Sequence, residues 1–190
     1  MVAPRLRRAA PISKVLNPLR IHVTGNAGSG KTTLGNRIGA EFDLPVFGLD
    51  QIVWQSGWTK TDPATRDRLE EELIEKPDWV IEGVSHLIRR AADVTIFLDV
   101  PLQRCTFRAL KRSVPFLFKG RPELPPDCPE YKIIPKLFGI IWGFSERVKP
   151  IILNDMAGGY RIIRLEDPDL FDSDELRRRL TGGSSVRRTP

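Results

Sequence analysis

Short apolar runs alternate with longer stretches of helical periodicity along most of the chain. The apolar runs predict five strands, at residues 20–24, 44–50, 78–83, 93–99 and 160–165. The stretches between and after them predict helices, at residues 33–40, 62–75, 84–92, 101–112 and 173–180. Because alternating strands and helices build parallel sheets through right-handed crossovers, the pattern predicts a three-layer α/β fold with a five-stranded parallel sheet.

The junction between the first strand and the first helix carries the strongest chemical signal. Residues 25–32 spell the complete pattern G-x-x-x-x-G-K-[ST], which identifies the phosphate-binding loop of the P-loop NTPase fold when it lies between a strand and a helix. Its glycines turn backbone N–H groups inward, and the helix N-terminus adds a positive dipole. Lys31 would supply a mobile positive charge to the β- and γ-phosphates, and Thr32 a hydroxyl ligand for Mg²⁺. The alternative is a plain glycine turn with an exposed lysine. The residues predicted to bind ATP are Gly25, Asn26, Ala27, Gly28, Ser29, Gly30, Lys31, Thr32 and Thr33.

Three of the predicted strands end in an acidic residue, namely Asp50, Glu82 and Asp99. The carboxyl ends of parallel strands face the ligand crevice, so these acids are expected near the phosphate loop. A nucleotide-bound Mg²⁺ uses one or two carboxylates, and Glu82, with Thr32, is the preferred candidate. Asp50 is predicted either to orient an acceptor hydroxyl or Mg²⁺-bound water, or to act only as a loop or capping aspartate.

Aromatic and basic side chains accompany the predicted site. Trp54 and Trp58 are candidates for stacking on a base, although aromatic residues more often fill cores. The helix predicted at 101–112 carries a basic stripe at helical spacing, and no acid occurs between Arg104 and Arg121. An unpaired cationic face beside a phosphate loop favours an anionic ligand over a merely solvated surface. The stripe consists of Arg104, Arg108, Lys111 and Arg112.

The remaining segments define the domain organisation. Residues 113–150 are too long for a plain connection and are interrupted by proline and glycine, so we interpret them as a movable lid that excludes water from the phosphates. Residues 1–17 are predicted to be a flexible basic arm, residues 18–181 the kinase-like domain, and residues 182–190 a disordered tail.

Charge and composition narrow the function classes. The 190-residue chain has a formal net charge of +6. Residues 1–20 hold five basic and no acidic residues, whereas residues 21–170 hold 20 basic and 21 acidic residues, a net charge of −1. A nearly neutral body disfavours a nucleic-acid partner. No apolar run reaches the length of a membrane span, and two cysteines are too few for a disulfide framework, so a cytoplasmic location is expected.

These motifs together resemble the adenylate kinase-like P-loop kinases and, within them, the FlaR or DNA topology modulation protein family. The resemblance runs from about Leu19 to Leu165. In the first half of the chain it is carried by the phosphate loop, by Leu49-Asp50 with Trp54 and Gly57-Trp58, and by Trp79-Val80-Ile81-Glu82-Gly83. It continues with Arg90 before Ala92-Asp93 and with Phe97-Leu98-Asp99-Val100-Pro101. In the predicted lid it is carried by Gly120-Arg121-Pro122, which leads to Cys128-Pro129-Glu130, and by Ile141-Trp142-Gly143-Phe144, which Arg147 and Pro150 follow.

The resemblance implies roles for several side chains. Glu82 is similar to the acid that holds a Mg²⁺-bound water in adenylate kinases. Arg108 and Arg112 are similar to arginines that flank the nucleotide there, and Arg121 and Arg147 to arginines of the lid. These four arginines and Lys31 form the predicted catalytic set.

The chain departs from that family at the acceptor site. Adenylate kinases follow the acid and glycine with Phe-Pro-Arg, whose arginine grips the acceptor phosphate, whereas this chain has Val84-Ser85-His86. Arg89 and Arg90 are the candidates to replace that arginine. With Asp50 and Trp54 they make up the predicted acceptor site.

The leading prediction is an ATP- and Mg²⁺-dependent kinase for a nucleoside monophosphate or another small-molecule acceptor. The alternatives are a nucleotide-binding regulatory protein that affects DNA topology without such activity, and a P-loop protein that hydrolyses nucleotide to drive a partner. No recognisable DNA-reading module accompanies the first alternative.

Overall fold

The protein is described here by a computed structural model, which covers residues 19–118, 121, 125 and 127–181. The predicted arm at 1–17 and the predicted tail at 182–190 lie outside the described residues. The strands are β1 (Arg20–Gly25), β2 (Val46–Gly48), β3 (Trp54–Gln55), β4 (Thr59–Lys60), β5 (Trp79–Glu82), β6 (Val94–Leu98) and β7 (Ile162–Leu165).

Eight α-helices occupy the described part of the chain, and a π-helix (Phe144–Val148) joins two of them without a break. The α-helices are α1 (Lys31–Phe42), α2 (Asp50–Val53), α3 (Pro63–Ile74), α4 (His86–Ala91), α5 (Leu102–Ser113), α6 (Ile134–Gly143), α7 (Lys149–Ala157) and α8 (Ser173–Thr181).

The main sheet has five strands in the order β2-β5-β1-β6-β7, and every pairing in it is parallel. The fold predicted from the sequence is therefore confirmed. The strand β1 pairs with both β5 and β6, so the phosphate loop leaves the middle of the sheet.

Alternating side chains of the strands divide the core between the two faces of the sheet. Val80 packs with α1 and α8, while its neighbours Trp79 and Ile81 pack with α3 and α4. In β6, Phe97 faces the π-helix and α7. Because successive strand residues point to opposite faces, strands that are apolar throughout require helices on both sides, which gives the three layers.

Two details around β2 differ from the prediction. The strand ends at Gly48, and Asp50 begins the short helix α2 rather than ending the strand. The hairpin β3–β4, an antiparallel pair, was not predicted. Two-residue strands are too short to leave a periodic signal in the sequence.

The segment predicted as a lid is largely helical. Its described residues include the end of α5, all of α6, the π-helix and the start of α7. Its movement remains a prediction. Within the described ranges, no helix is both long enough and apolar enough to cross a membrane.

Candidate active site

A cavity of about 1230 Å³ opens where β1, β2 and β5 end. Its walls come from the phosphate loop, the chain after β2, α5 and α6. It brings together most of the residues predicted for the site. Those that line it are Gly25, Asn26, Ala27, Gly28, Gly30, Lys31, Thr32, Thr33, Asp50, Trp54, Glu82, Arg108, Arg112, Arg121 and Arg147.

The phosphate loop depends on glycine at two positions. Gly28 and Gly30 have φ angles of +77° and +97°, which side chains rarely allow. A Cβ on Gly28 would also lie 2.2 Å from the carbonyl oxygen of Cys105, so the loop packs directly on α5. Gly30 precedes α1, and no side chain caps this helix. Its first N–H groups therefore remain suited to an anion.

Lys31 lies at the start of α1, with its ammonium turned back onto the loop. Its Nζ donates to the backbone oxygen of Asn26 at 2.9 Å. Burial lowers the pKa of Lys31, while the nearby carboxylates of Glu82 and Asp50 oppose that shift. A partly desolvated ammonium near two acids gains from an additional anionic partner, such as a phosphate group.

Thr32 and Glu82 meet at the junction of α1 and β5. The Thr32 hydroxyl donates to Glu82 Oε1 at 3.0 Å, and Glu82 is only 7% exposed. Burial raises the pKa of Glu82, and the charge of Asp50 raises it further, whereas Lys31 and the bond from Thr32 lower it. Gly48 leaves room for the carboxylate, because a Cβ there would lie 3.1 Å from Oε1.

This pair fits the oxygen ligands that Mg²⁺ prefers. Among the described residues, no group of three or more His, Cys, Asp or Glu side chains is placed to hold a metal ion. One hydroxyl and one carboxylate would not hold Mg²⁺ alone. They suit an ion that arrives with a nucleotide and takes its other ligands from phosphate and water.

The sequence had suggested that the basic stripe on α5 is unpaired, but two of its arginines have an acidic neighbour in the structure. Asp167, in the loop after β7, forms an ion pair with Arg104, and its Oδ2 lies 3.8 Å from Arg108. The prediction failed because this acid lies far away in the sequence and reaches α5 only through the parallel sheet. Arg108 and Arg112 nevertheless line the cavity.

The two predicted lid arginines have different surroundings. Arg121 lies beside the cavity, with its Nε donating at 2.5 Å to Glu130, which is buried and also accepts a bond from Ser113. Much of its charge is therefore compensated within the protein. Arg147 is exposed on the π-helix and lines the cavity. Its guanidinium packs on Gly143, and a Cβ at that position would lie 2.4 Å from a guanidinium nitrogen of Arg147.

The cavity holds only part of the predicted acceptor-binding set. Asp50 and Trp54 line it, but Arg89 and Arg90 do not. Arg89 is buried, and its Nε donates to Asp155 at 2.7 Å, so this cation joins α4 to α7. Arg90 lies on the exposed side of α4.

Asp99, the third acid at a strand end, also lies outside the cavity lining. Its carboxylate forms ion pairs with Lys149 at 2.6 Å and with Arg164 at 2.5 Å. The expected convergence of three acids is therefore wrong, and the acids that line the cavity are Glu82 and Asp50. Strand β6 lies on the far side of β1 from β5, which directs its end away from Glu82.

Arg66 is a cationic residue of the cavity that the sequence did not reveal. It projects from α3, and its Nε lies 3.2 Å from Oε1 of Glu70, which is fully buried. The hydroxyl of Ser85 donates to the other oxygen of Glu70. The sequence contains the i, i+4 spacing of Arg66 and Glu70, but that spacing usually marks an exposed pair. Lys60 and Lys136 also line the cavity.

The two tryptophans near Asp50 have different environments. Trp58 is buried and donates from Nε1 to the oxygen of Pro129 at 2.9 Å, so it belongs mainly to the core, and one part of it lines the cavity. Trp54 packs edge-to-face on Trp58 with ring centroids 5.3 Å apart, and its other surroundings include the cavity and the ammonium of Lys60.

Comparison with solved structures finds similarity to kinases. The shikimate kinase from Acinetobacter baumannii in complex with shikimate has a TM-score of 0.53 and 16% identity over 92% of this chain and 99% of that one. A deoxyadenosine kinase from M. mycoides with bound dATP has a TM-score of 0.49 and 12% identity, covering 88% and 100% of the two chains. A shikimate kinase from Bacteroides thetaiotaomicron has a TM-score of 0.47 and 19% identity, covering 86% and 95%.

At such identities, the similarity to the A. baumannii enzyme shows a shared fold and nothing finer. The sequence matches no protein-family model, and no curated protein matches it. The chain is therefore an α/β protein with the P-loop NTPase fold, and its activity has to be argued from the site.

Proposed function

We propose that the protein is an ATP- and Mg²⁺-dependent phosphotransferase acting on a nucleoside monophosphate or another small-molecule acceptor. The observation that carries this proposal is the composition of one cavity. A complete phosphate loop with the Thr32–Glu82 pair lines it, and so do Asp50 and Arg66, which belong to helices outside the loop. A cleft that combines a phosphate loop with further charged groups suits transfer between two ligands.

The donor side would hold the nucleotide phosphates. The loop amides and the start of α1 would bind the β- and γ-phosphates, and Lys31 would leave the oxygen of Asn26 to follow the transferred charge. Thr32 and Glu82 would hold a nucleotide-borne Mg²⁺, which neutralises phosphate charge when bound. Because the Thr32 hydroxyl already points at Glu82, these two ligands need little rearrangement.

The arginines around the cavity would neutralise charge during transfer. Arg108, Arg112 and Arg147 line it from α5 and the π-helix. Arg121 would contribute only after loosening its pair with Glu130. We propose that residues 113–150 close over the phosphates and exclude water.

The acceptor side suits an anionic acceptor. Arg66 forms an ion pair with the buried Glu70, and its guanidinium N–H groups can meet a carboxylate or a phosphate in the cavity. If the acceptor is an alcohol, Asp50 is the candidate base; if it is a nucleotide phosphate, no strong base is needed. We retain both acceptor classes.

The family relationship is part of the proposal. The matching motifs support a place among the adenylate kinase-like P-loop kinases and the FlaR group, and the proposed use of ATP fits the cytoplasmic location predicted from composition. The main alternative remains a nucleotide-binding regulatory protein that contacts DNA. The ion pairs of Asp167 with Arg104 and Arg108 weaken it, because they compensate part of the basic stripe.

The test is an acceptor panel. Purified protein is incubated with Mg-ATP and nucleoside monophosphates, nucleosides, or small alcohols with and without a carboxylate, and acceptor-dependent ADP is measured. Lys31→Ala should abolish it, whereas Lys76→Ala, an exposed control outside the cavity lining, should not. ADP that forms without any phosphorylated product would support simple hydrolysis instead. No acceptor-dependent ADP, with Lys31→Ala equal to wild type, would refute the kinase.

A further inference from the structure

Asn26 connects the phosphate loop to α6 through a buried hydrogen bond. Its side-chain Nδ2 donates to the backbone oxygen of Ile141 at 2.8 Å, and its Oδ1 accepts from the N–H of Ala27 at the same distance. Asn26 is 4% exposed. The amide oxygen and the amide nitrogen are thus each bonded, and these two bonds fix the orientation of the side chain.

Apolar contacts reinforce this connection. Ala27, next in the loop, packs against a cluster that contains Leu137 and Ile141 of α6 and Ala109 of α5. The loop therefore touches α6 by a polar bond and a non-polar contact at neighbouring positions. A change in loop conformation has a direct route to α6, because close-packed groups transmit displacement.

The segment that receives this contact also carries groups of the cavity. The helix α6 continues into the π-helix without a break, and Phe144 and Arg147 of the π-helix line the same cavity as the loop. Arg147 lies only a few residues beyond Ile141 on this continuous helical segment. A shift of Ile141 would therefore also move Arg147 relative to the phosphate loop.

The backbone oxygen of Asn26 also takes part in hydrogen bonds within the loop. Its backbone oxygen accepts from Lys31 Nζ at 2.9 Å and from the N–H of Ser29 at 3.2 Å. A phosphate in the loop would compete with this oxygen for the Lys31 ammonium, since a charge-assisted bond is the stronger one. Asn26 would thus lose its contact with Lys31, and the same residue forms the hydrogen bond to Ile141 of α6.

We propose that Asn26 is a positioning residue that couples phosphate binding in the loop to the placement of α6 and Arg147. The inference rests on the nucleotide-binding part of the proposed function. It does not depend on which acceptor the protein uses, or on whether transfer or hydrolysis follows.

Hydrogen exchange measured by mass spectrometry, with and without Mg-ADP or a non-hydrolysable Mg-ATP analogue, tests the coupling. In the wild-type protein, nucleotide should slow exchange in residues 25–33 and also in residues 134–148. At nucleotide concentrations that saturate each protein, the ratio of the second protection to the first should be roughly fivefold smaller in Asn26→Ala than in the wild type, the equivalent of about 1 kcal/mol for one hydrogen bond. Asn26→Asp keeps the acceptor for Ala27 but cannot donate to Ile141, so it should lower this ratio in the same way, while its carboxylate raises the nucleotide concentration needed for saturation.

Asn154→Ala provides the matched control, because this exposed asparagine lies on α7 outside the cavity lining. It should retain both protections. A purely structural role for Asn26 would change exchange equally with and without nucleotide, and would therefore refute the coupling.

The wild-type measurement distinguishes failure of the inference from failure of the proposed function. Protection of 25–33 without any change in 134–148 would overturn the coupling and leave nucleotide binding intact. No protection in 25–33 would overturn both. Equal nucleotide-dependent protection of 134–148 in the wild type and in either variant at Asn26 would also overturn the coupling.

Discussion

Replacing His22 by glutamine should reduce the loss of stability in mild acid. His22 lies in the middle of the sheet on β1, is fully buried, and has Nε2 at 3.1 Å from the oxygen of Gly83. Burial lowers its pKa to about 3; the bond to Gly83 acts in the opposite direction, and the charges of Arg89 and Lys31 add to the lowering. Glutamine is chosen because its side-chain amide can also donate to the Gly83 oxygen.

The size of the effect follows from the two pKa values. An unfolded histidine takes up a proton near pH 6.5, whereas folded His22 stays neutral down to about pH 3. Between these values the unfolded state binds more protons, so stability falls as the pH falls. On going from about pH 7.5 to about pH 5.5, His22 alone should cost about 1.4 kcal/mol, and close to 5 kcal/mol once the pH is below both values.

Urea unfolding at the two pH values measures this difference. Other groups contribute to the acid sensitivity of both proteins, so the informative quantity is the difference between wild type and His22→Gln, about 1.4 kcal/mol. His86, the other histidine of the chain, is exposed on α4, and His86→Gln serves as the control that should follow wild type. If His22→Gln lost as much stability as wild type over this range, the reasoning from burial would be refuted.

Three further changes test the loop and the acceptor side. Gly28→Ala should lower the free energy of unfolding by about 2 kcal/mol or more in urea titrations, because the position has positive φ and its Cβ would collide with α5. Gly139→Ala is the control on α6, where a Cβ would meet open space, and it should be neutral or slightly stabilising. Equal stability of the two variants would contradict the packing argument. Arg66→Lys should lower kcat/KM for the acceptor roughly tenfold without altering nucleotide binding, because lysine cannot replace the guanidinium in two-pronged contacts. Arg68, on the same helix, forms an exposed ion pair with Glu72, and Arg68→Lys should leave kcat/KM unchanged. Similar kinetics in both variants would exclude Arg66 from the acceptor site. Asp50→Asn should reduce kcat about a hundredfold or more with an alcohol acceptor but hardly at all with a nucleotide phosphate, and an unaffected alcohol reaction would exclude Asp50 as the base.

Much of the fold was predictable because its signals are local. The helix α3, for example, begins at Pro63 after Asp62, whose side chain accepts from the N–H of Thr65, as the Asp-Pro pair predicts. The parallel sheet followed from the alternation of elements. The end of β2 was less predictable. The N–H of Leu49 still donates to the backbone oxygen of Glu82, so the strand-like contact continues past Gly48 before the chain turns into α2.

The candidate site was only partly predictable, because charge pairing depends on tertiary contacts. The sequence shows Arg89 and Arg108 as similar basic residues on predicted helices. The structure buries Arg89 against Asp155 and places Arg108 on the cavity, near Asp167. Neither acid is close in sequence to the arginine that it meets.

The sequence by itself determined the phosphate loop, since glycine conformation and the start of a helix are properties of neighbouring residues. Only the tertiary structure decided which acids and cations share the cavity with that loop. The order of strands puts Glu82 beside Thr32 and turns Asp99 away, and α3 brings Arg66, paired with the buried Glu70, to the cavity. These relations join residues that are distant in the chain, where local periodicity carries no information.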